Sequence, residues 1–398
     1  MLAFVQADIF ASSPTGRLVP IDGTDPRFGD WQHVAFVPHP LPTETPSLSV
    51  ITFNAVAKAR AEIAGLDAAA RQLPNPALLR RPTVRREAQS TSALEGTYAP
   101  LTEVLAADAE EDQPDAALRE VLNYVRTAEH AFRWVEEGRE LTLGLLRDLH
   151  SRLVRGTIAD NDQAGRVRSV QVMIGSNAGA RIQDATFVPS PPGMDLEHDL
   201  GDWVDWVRSD HDGQIDPVVA AGMAHYQFET LHPFNDGNGR IGRLLIVLHL
   251  QRTGVLREPS LTVSPWFEAR RAEYYDGLRR VSSHGDWDGW IRFFARGLES
   301  SAADTSRRLI ELLAVQRSLK EMLRVARLRA DTAFRLVDFA FEQPIFTVRQ
   351  VQRHLGVTYV RANGLVAQLV SLGVLAQYDD AVYDRRFTAP DVLAILLR

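Results

Sequence analysis

The stretch that decides the fold is residues 232–243, which have the sequence HPFNDGNGRIGR. It lies between two helical patterns, over residues 217–231 and 240–251, and its run DGNG suits backbone conformations with positive φ. A glycine-bearing turn that opens a helix points several backbone N–H groups at one spot, and the helix dipole adds positive potential there. The stretch therefore predicts an anion-binding turn between two helices.

The charged side chains of this stretch are suited to a phosphate group. Arg240 and Arg243 are three residues apart, so they share one face of the first helical turn and can both bind phosphate oxygens. Asp236 offers a hard oxygen ligand for Mg²⁺ that bridges phosphates. His232, at the end of the preceding helix, can accept a hydroxyl proton near pH 7. This combination indicates nucleotidyl or phosphoryl transfer.

A dinucleotide site is the competing interpretation, because Gly237, Gly239 and Gly242 also match G-x-G-x-x-G. That fingerprint requires a preceding strand within a βαβ unit. A helical pattern precedes the glycines here, and no parallel-strand pattern lies nearby, so the Rossmann interpretation is not favoured.

Composition excludes several other classes of protein. The chain of 398 residues contains no cysteine, which excludes disulfides, thiolate nucleophiles and cysteine-ligated metals. Of its 44 basic residues only Lys58 and Lys320 are lysines, and neither follows a glycine, so there is no P-loop. No histidine precedes a glutamate, so there is no H-E-x-x-H zinc helix. Any phosphate would have to be bound by arginines and backbone amides.

Charge and hydropathy predict a cytoplasmic protein without membrane contact. The net charge of −7 argues against a molecule that binds nucleic acid electrostatically over its whole surface. The start of the chain lacks the basic and apolar regions of a signal peptide, and the most apolar run has only seven residues.

The patterns along the chain predict a mainly α protein. Residues 1–45 predict an irregular or short-stranded extension. Residues 46–135 predict an N-terminal helical region, with one helix from about residue 82 to 95, since Pro82 suits a helix start and Gly96 the position after a helix end.

The later half adds a helical core and a small terminal domain. Residues 136–300 form the predicted catalytic core, with a β-hairpin set into it. We call this hairpin, residues 167–188, the flap, with a first arm at 167–174 and a second arm at 185–188. Residues 301–330 predict a connecting helix. Residues 331–398 show helix, turn, helix and hairpin, a pattern typical of a winged helix.

Residues 232–243 match the motif H-x-F-x-[DE]-G-N-G-R-x-x-R at every specified position, and the chain therefore resembles the Fic (Fic/DOC) family. The resemblance covers roughly residues 46–300, including the lead-in helix before the motif, the stretch GRVR at 165–168 with the following flap, and Tyr274-Tyr275. It implies a Fic-fold helical core and a protein adenylyltransferase that moves AMP from ATP to a Ser, Thr or Tyr hydroxyl of a target protein, itself included.

The resemblance also implies roles for individual residues. His232 would deprotonate the hydroxyl and Asp236 would hold Mg²⁺ between the α- and β-phosphates. Phe234 would point into the core and fix the loop. The residues implied for binding ATP are Gly237, Asn238, Gly239, Arg240, Ile241, Gly242, Arg243 and Tyr275, the last beside the adenine.

A built-in inhibitor is predicted by residues 91–96, with the sequence TSALEG, which fit the family pattern [ST]-x-x-x-E-[GN]. Glu95 lies in the last turn of its helix, where the dipole disfavours a carboxylate, so a nearby arginine would explain it. The resemblance supplies Arg243, whose binding of the γ-phosphate Glu95 would block, while Thr91 would support the helix end.

Several alternatives remain open at this stage. Gly239 leaves room for the β- and γ-phosphates, which favours AMP transfer over kinase activity, while phosphocholine or uridylyl transfer and removal of AMP by the same site stay possible. A winged-helix DNA regulator with a nucleotide-sensing domain is the non-enzymatic alternative. It is not favoured, because Asp379 and Asp380 fall at the expected wing and residues 346–398 have a balance of only +2. Protein docking or orientation of a homodimer suits this domain equally well.

Overall fold

The computed structural model describes residues 9–71, 77–107, 114–175, 180–328, 331–381 and 384–398. The chain divides into two compact units. The first unit comprises Met1–Ile63, Arg126–Arg257 and Trp266–Ser300, and the second comprises Ala64–Val125, Glu258–Pro265 and Ser301–Arg398. Within the described ranges, no helix is both long and apolar enough to cross a bilayer.

Helices dominate both units, as the sequence predicted. The helices in chain order are α1 (Val50–Arg71), α2 (Ala77–Leu94), α3 (Leu101–Ala106), α4 (Ala116–Glu136), α5 (Leu143–Val154), α6 (Met194–Arg208), α7 (Pro217–Leu231), α8 (Asn238–Arg252), α9 (Ser264–Glu268), α10 (Arg271–His284), α11 (Trp287–Val325), α12 (Asp331–Glu342), α13 (Val348–Leu355), α14 (Tyr359–Ser371) and α15 (Pro390–Leu397). The strands are β1 (Gly16–Asp25), β2 (Gly29–Pro38), β3 (Ile345–Thr347), β4 (Ala376–Gln377) and β5 (Arg386–Thr388).

Helices α7 and α8 form the centre of the first unit and are buried on nearly all sides. Asp216 caps α7 by accepting a hydrogen bond from the Val218 N–H at 2.8 Å, and Pro217 occupies the first turn. Two buried tryptophans hold α7 from either side. Trp203 donates its indole N–H to the Ala224 carbonyl, and Trp290 donates to the Gly222 carbonyl, each at 2.9 Å. The two helices that flank the 232–243 stretch are therefore fixed by the core.

The N-terminal segment differs from the irregular or short-stranded extension predicted for residues 1–45. Strands β1 and β2 are ten residues each and pair antiparallel in full register, from Gly16 opposite Pro38 to Asp25 opposite Gly29. We call this pair the N-terminal ribbon. Proline, aspartate and glycine interrupt the hydrophobic alternation that would reveal such strands in the sequence. The ribbon tolerates them because much of it is exposed or only half-buried.

The flap is less regular than a hairpin in its described residues. Its arms pair through one antiparallel bridge, Ile174 to Phe187, with the Ile174 N–H donating to the Phe187 carbonyl at 2.9 Å. A short 3₁₀ turn at Ile182–Asp184 follows the expected loop, of which residues 176–179 lie outside the described part of the chain.

Helix α2 begins earlier than the expected start near residue 82. It runs over Ala77–Leu94, with Pro82 inside it rather than at its first turn. The preceding residues, ALLRR, favour helix strongly enough to extend it over the backbone hydrogen bond that Pro82 cannot make. The end agrees with the prediction, because Gly96 adopts the left-handed conformation with a φ of 91° just after the helix.

The C-terminal segment of the second unit combines α12–α15 with a three-stranded antiparallel sheet in the order β3-β5-β4. In the hairpin expected for this segment, β5 pairs with Ala376–Gln377, and residues 382 and 383 lie outside the described part. The chain turns at Asp379, whose carboxylate accepts hydrogen bonds from the Ala381 N–H at 3.3 Å and from Arg386 at 2.5 Å.

Candidate active site

His232 ends α7 in the left-handed conformation, with a φ of 51°. Its backbone N–H still donates to the Phe228 carbonyl at 3.0 Å, so the chain leaves the helix directly after it. The ring Nδ1 lies 3.3 Å from the Glu229 carbonyl. Because a carbonyl can only accept, Nδ1 carries the hydrogen and Nε2 carries the lone pair. The imidazole is therefore oriented to take up a proton at Nε2.

Arg168, in the first arm of the flap, fixes the backbone around His232. Its Nε donates to the His232 carbonyl at 2.8 Å, and its guanidinium also donates to the carbonyls of Leu231, Val170 and Ser190. Its own N–H donates to the Pro233 carbonyl at 2.9 Å. Burial lowers the pKa of Arg168 to about 10, so it stays protonated at pH 7. One buried cation thus joins the first arm of the flap and Ser190, two residues after the second arm, to the turn that follows α7.

The turn after His232 is closed by the Asn238 side chain. The Asn238 Oδ1 accepts from the Phe234 N–H at 2.9 Å, and its Nδ2 donates to the Phe234 carbonyl at 2.8 Å. Phe234 itself is fully buried, in agreement with the packing role expected for it. The Asn238 side chain thus fixes the shape of the turn, and its backbone N–H lies at the start of α8.

His150, on α5, supports the same turn from the other side. Its ring stacks on Phe234 with centroids 4.1 Å apart and planes 6° from parallel. Its Nδ1 accepts from the Gly165 N–H at 2.9 Å, so Nε2 must donate to the Asp236 carbonyl at 3.1 Å. Burial is the main cause that lowers the pKa of His150 to about 4. The residue is therefore neutral at pH 7, as both hydrogen bonds require.

Helix α8 begins directly at the turn, with Gly237 as its N-cap at a φ of 75°. The positive φ favours glycine at this position, and a Cβ there would lie 2.9 Å from the Leu153 Cδ2, so that side chain would have to shift. The first N–H groups of α8, from Asn238 onward, have no acceptor within the helix and point out of its end. They form the positive end of a fifteen-residue helix.

The arginines of the motif are buried beside this helix end. Arg240 and Arg243 are 2% and 1% exposed, so their charges are poorly screened by water. Arg243 adds to the effect of burial in lowering the pKa of His225 to about 3, which marks His225 as a neutral core residue.

Gly242 lets α8 approach α7, because a Cβ there would lie 2.2 Å from the Glu229 Oε1.

Asp236 is the residue that fits a magnesium ion. Its side chain is 53% exposed at the turn, and one carboxylate oxygen contacts the Arg240 Nη2 at 3.1 Å. No cluster of three or more His, Asp or Glu side chains suited to a metal exists among the described residues. A single exposed carboxylate next to a phosphate site is nevertheless the donor set that Mg²⁺ uses when nucleotide phosphates and water complete its shell.

Three predicted residues belong to other elements of the chain. Thr91 is buried in α2, while Glu95 is exposed directly after α2 and belongs to the second unit, so its pairing with Arg243 remains a prediction. Tyr275 lies on α10 of the first unit, 36% exposed, with the Arg271 guanidinium 5.8 Å from its ring centre. Its role beside an adenine also remains a prediction.

Sequence reasoning missed His150 and did not assign the role of Arg168. Arg168 was noted only as part of the GRVR stretch, and His150 follows an ordinary helical pattern. Both act mainly through backbone carbonyls that lie 64 and 86 residues further along the chain, at His232 and Asp236. A carbonyl leaves no mark in the sequence, so only an unusually placed buried polar residue could have signalled them.

Comparison with known proteins supports the resemblance. Residues 53–133 match the Fic/DOC family N-terminal model, and residues 140–250 match the Fic/DOC family model. The protein adenylyltransferase fic-1 of Caenorhabditis elegans is 34% identical over 187 residues, which cover 47% of this chain and 31% of that protein. The protein adenylyltransferase Fic of Nematostella vectensis is 32% identical over 182 residues, or 46% of this chain and 37% of that protein. The match thus spans about a third of these relatives' length.

Solved structures show the same fold. A Fic family protein from Desulfovibrio desulfuricans G20 superimposes with a TM-score of 0.53 at 22% identity, covering 87% of this chain and 98% of that one. Fic-1 (residues 134–508) of Caenorhabditis elegans superimposes with a TM-score of 0.50 at 25% identity, covering 66% of this chain and 74% of that one. The predicted Fic fold is confirmed.

Proposed function

We propose that the chain is a protein adenylyltransferase, because residues 53–133 and 140–250 match the Fic/DOC family models. It transfers AMP from ATP to a Ser, Thr or Tyr hydroxyl of a target protein and of itself. The observation that carries the proposal is the orientation of His232, whose Nδ1 is held by the Glu229 carbonyl beside the N-terminal end of α8. Relatives named protein adenylyltransferase support the same activity.

The reaction is one displacement at the α-phosphorus of ATP. The target hydroxyl oxygen forms a bond to the α-phosphorus while its proton passes to the His232 Nε2. The bond from that phosphorus to the oxygen bridging the α- and β-phosphates breaks, and pyrophosphate leaves with the electron pair. The N–H groups of Asn238 and Gly239 at the start of α8 bind the phosphate oxygens. Arg240 and Arg243 stabilise the charge of the transferred and leaving groups.

A magnesium ion fits this proposal through Asp236. Bound there, Mg²⁺ would neutralise phosphate charge between the α- and β-phosphates of the nucleotide. The salt bridge from Asp236 to the Arg240 Nη2 at 3.1 Å holds the carboxylate at the turn next to the helix end. ATP and Mg²⁺ are thus the substrate and ion assigned to the site.

We further propose that Glu95 inhibits the enzyme in cis. Its side chain follows the last turn of α2, where the negative end of the helix dipole disfavours a carboxylate. Pairing with Arg243 would relieve that repulsion and would occupy the group needed by the γ-phosphate. Thr91, buried one turn earlier in α2, supports the helix end.

The flap is the proposed docking element for the target protein. An extended target segment would add as a strand to the flap and so bring its hydroxyl towards His232. Arg168 supports this role, because it links Val170 of the first arm and Ser190, just after the second arm, to the His232 carbonyl.

We also propose that residues 331–398 form a winged helix. Its element order and three-stranded sheet support that assignment. The ion pair of Asp379 with Arg386 at 2.5 Å neutralises a cation that DNA phosphates would need, so a docking or dimer-orienting role is favoured over DNA binding. Removal of AMP by the same site is the alternative enzymatic outcome.

The position of the radiolabel tests the proposal. The chain is incubated with Mg²⁺ and ATP labelled at the α- or the γ-phosphate, and the protein is separated from free nucleotide. We expect label from α-labelled ATP alone, and none from the His232→Ala variant. Label from γ-labelled ATP would mean phosphoryl transfer, and label from neither, with Glu95→Gly as well as with the unmodified chain, would contradict the proposed function.

A further inference from the structure

The N-terminal ribbon continues into the flap through the backbone. The Phe36 N–H on β2 donates to the Val188 carbonyl in the second arm at 2.8 Å, and the Ser190 hydroxyl donates to the Phe36 carbonyl at 3.5 Å. Because β1 pairs along the other edge of β2, the order across this layer is β1, β2, second arm, first arm. The second arm is thus covered on its outer edge.

Apolar side chains seal this junction. Ala35 of β2 forms a buried cluster with Ala185 and Val188 of the second arm. The partly buried residues packed on that cluster come from the ribbon and from the flap, namely Val19, Ile21, Met173 and Ile182. The rings of Phe10, Phe36 and Phe187 form a trio with all three centroid separations between 5.6 and 5.7 Å. Contacts of this kind order both partners, since neither buries its apolar face alone.

The tip of the ribbon also reaches the flap. Phe28, next to the turn between β1 and β2, is 43% exposed. The Arg181 guanidinium of the flap lies 4.7 Å from its ring centre, and the Arg27 guanidinium of the ribbon lies 4.9 Å from it. Two cations therefore share one aromatic ring, and only Arg181 belongs to the flap. Arg181→Ala and Arg27→Ala therefore each remove one cation from the same ring, and only the first removes a contact with the flap.

The root of the ribbon is tied to the catalytic helix. Gln227 on α7, five residues before His232, donates to the His39 carbonyl at 3.0 Å. Thr15 donates to the Val281 carbonyl on α10 at 2.8 Å, and the Thr15 carbonyl accepts from the His39 N–H at 2.8 Å. The ribbon is thus held at its root by the core and is bound to the flap along its length and at its tip.

We infer that the N-terminal ribbon is a positioning element that holds the flap in its docking conformation before a target arrives. By covering the second arm, it leaves the first arm as the edge for an incoming strand. Consistent with this, the backbone of Met173 alternates with that of Ile174 and so faces away from the second arm, and it makes no backbone-to-backbone hydrogen bond within the described residues. Val170, in the same arm, is 55% exposed. The docking role rests on the proposed function, which supplies the acceptor, an extended protein segment that bears a hydroxyl. The ordering of the flap by the ribbon does not depend on the proposed function.

Hydrogen exchange tests the ordering directly. A shortened ribbon, with residues 20–34 replaced by Asn-Gly and Phe36 replaced by alanine, loses the tip contact and the ring trio but keeps Thr15 and the root contacts. We expect amide exchange at Ile174, Thr186 and Phe187 to accelerate roughly tenfold in this variant. Arg181→Ala should accelerate the same amides about threefold, as loss of one exposed cation–π contact predicts. The matched Arg27→Ala variant should leave them unchanged. Unchanged exchange in both the shortened ribbon and Arg181→Ala would overturn the inference.

Kinetics with a defined acceptor test the consequence for docking. The acceptor is the full-length His232→Ala chain, which lacks the catalytic imidazole. Both enzymes compared carry Glu95→Gly, so that the proposed inhibitor does not mask activity. With the shortened-ribbon enzyme we expect the KM for this acceptor to rise about fivefold or more, while the KM for ATP stays within about twofold. Faster exchange with an unchanged acceptor KM would refute the docking role. If no enzyme transfers AMP, the proposed function fails, and the exchange rates still decide whether the ribbon orders the flap.

Discussion

Replacing His150 by glutamine is expected to remove a pH-dependent part of the stability of the first unit. The pKa of His150 is about 4 in the folded chain, against an ordinary value of 6.5, because the ring is buried. The neutral form is therefore favoured by folding, so the stabilisation is complete above pH 6.5 and is lost as the pH falls towards 4. At pH 5 the imidazole is about 97% protonated in the unfolded chain and about 9% protonated in the folded chain. The contribution of His150 to the free energy of unfolding at pH 5 is therefore about 2 kcal/mol lower than it is well above pH 6.5.

The seven tryptophans of the chain all lie in the first unit, so urea unfolding followed by tryptophan fluorescence reports on that unit. At pH 7 His150→Gln should be less stable than the unmodified chain, since it loses the stack on Phe234. Between pH 7 and pH 5 that gap should narrow by about 2 kcal/mol. The control variant is His198→Gln, at an exposed site on α6. The difference in unfolding free energy between this variant and the unmodified chain should be the same at pH 7 and at pH 5. A constant gap for His150→Gln would refute the reasoning.

Three further predictions concern nucleotide, inhibitor and flap. Asn238→Asp replaces the donor to the Phe234 carbonyl by a charge at the anion site, so nucleotide affinity measured by calorimetry should fall about tenfold or more, whereas unchanged affinity would contradict the assigned turn. Glu95→Gly should raise self-labelling by about fivefold or more, and adding Arg243→Ala should abolish the gain, whereas equal labelling of Glu95→Gly and the unmodified chain would argue against the inhibitor. Met173→Pro removes a backbone N–H at the outer edge of the first arm, so it should abolish target modification and leave nucleotide binding intact, and persistent modification would exclude strand addition there.

The turn at residues 232–243 was predictable because its determinants are local. Gly237 needs positive φ, and the asparagine and glycines around it are the residues that tolerate such turns, so the sequence alone indicates a bend before a helix. Any helix leaves its first N–H groups without an acceptor, so the free N–H groups at the start of α8 could also be expected. The same locality explains why the end of α2 at Gly96 agreed with the prediction.

The supports of the turn could not be predicted, because they are long-range and mostly aimed at backbone. Arg168 and His150 reach carbonyls far along the chain, and any residue type supplies a carbonyl. The N-terminal ribbon was obscured for another reason. Its strands gain their burial from the flap and from the trio around Phe36 rather than from an alternating pattern of their own. The start of α2 was predicted too late, because Pro82 suits the first position of a helix. The helix propensity of the residues on both sides of Pro82 outweighs the one hydrogen bond that it cannot make.

The intact mass of the chain after incubation with ATP and Mg²⁺ tests the central claim most directly. We expect the unmodified chain to gain little, Glu95→Gly to gain one or more AMP moieties, and the double variant Glu95→Gly with His232→Ala to gain none. That pattern would place the transfer at the imidazole beside the N-terminal end of α8. An AMP gain that persists without His232, or a gain of phosphate alone, would contradict it.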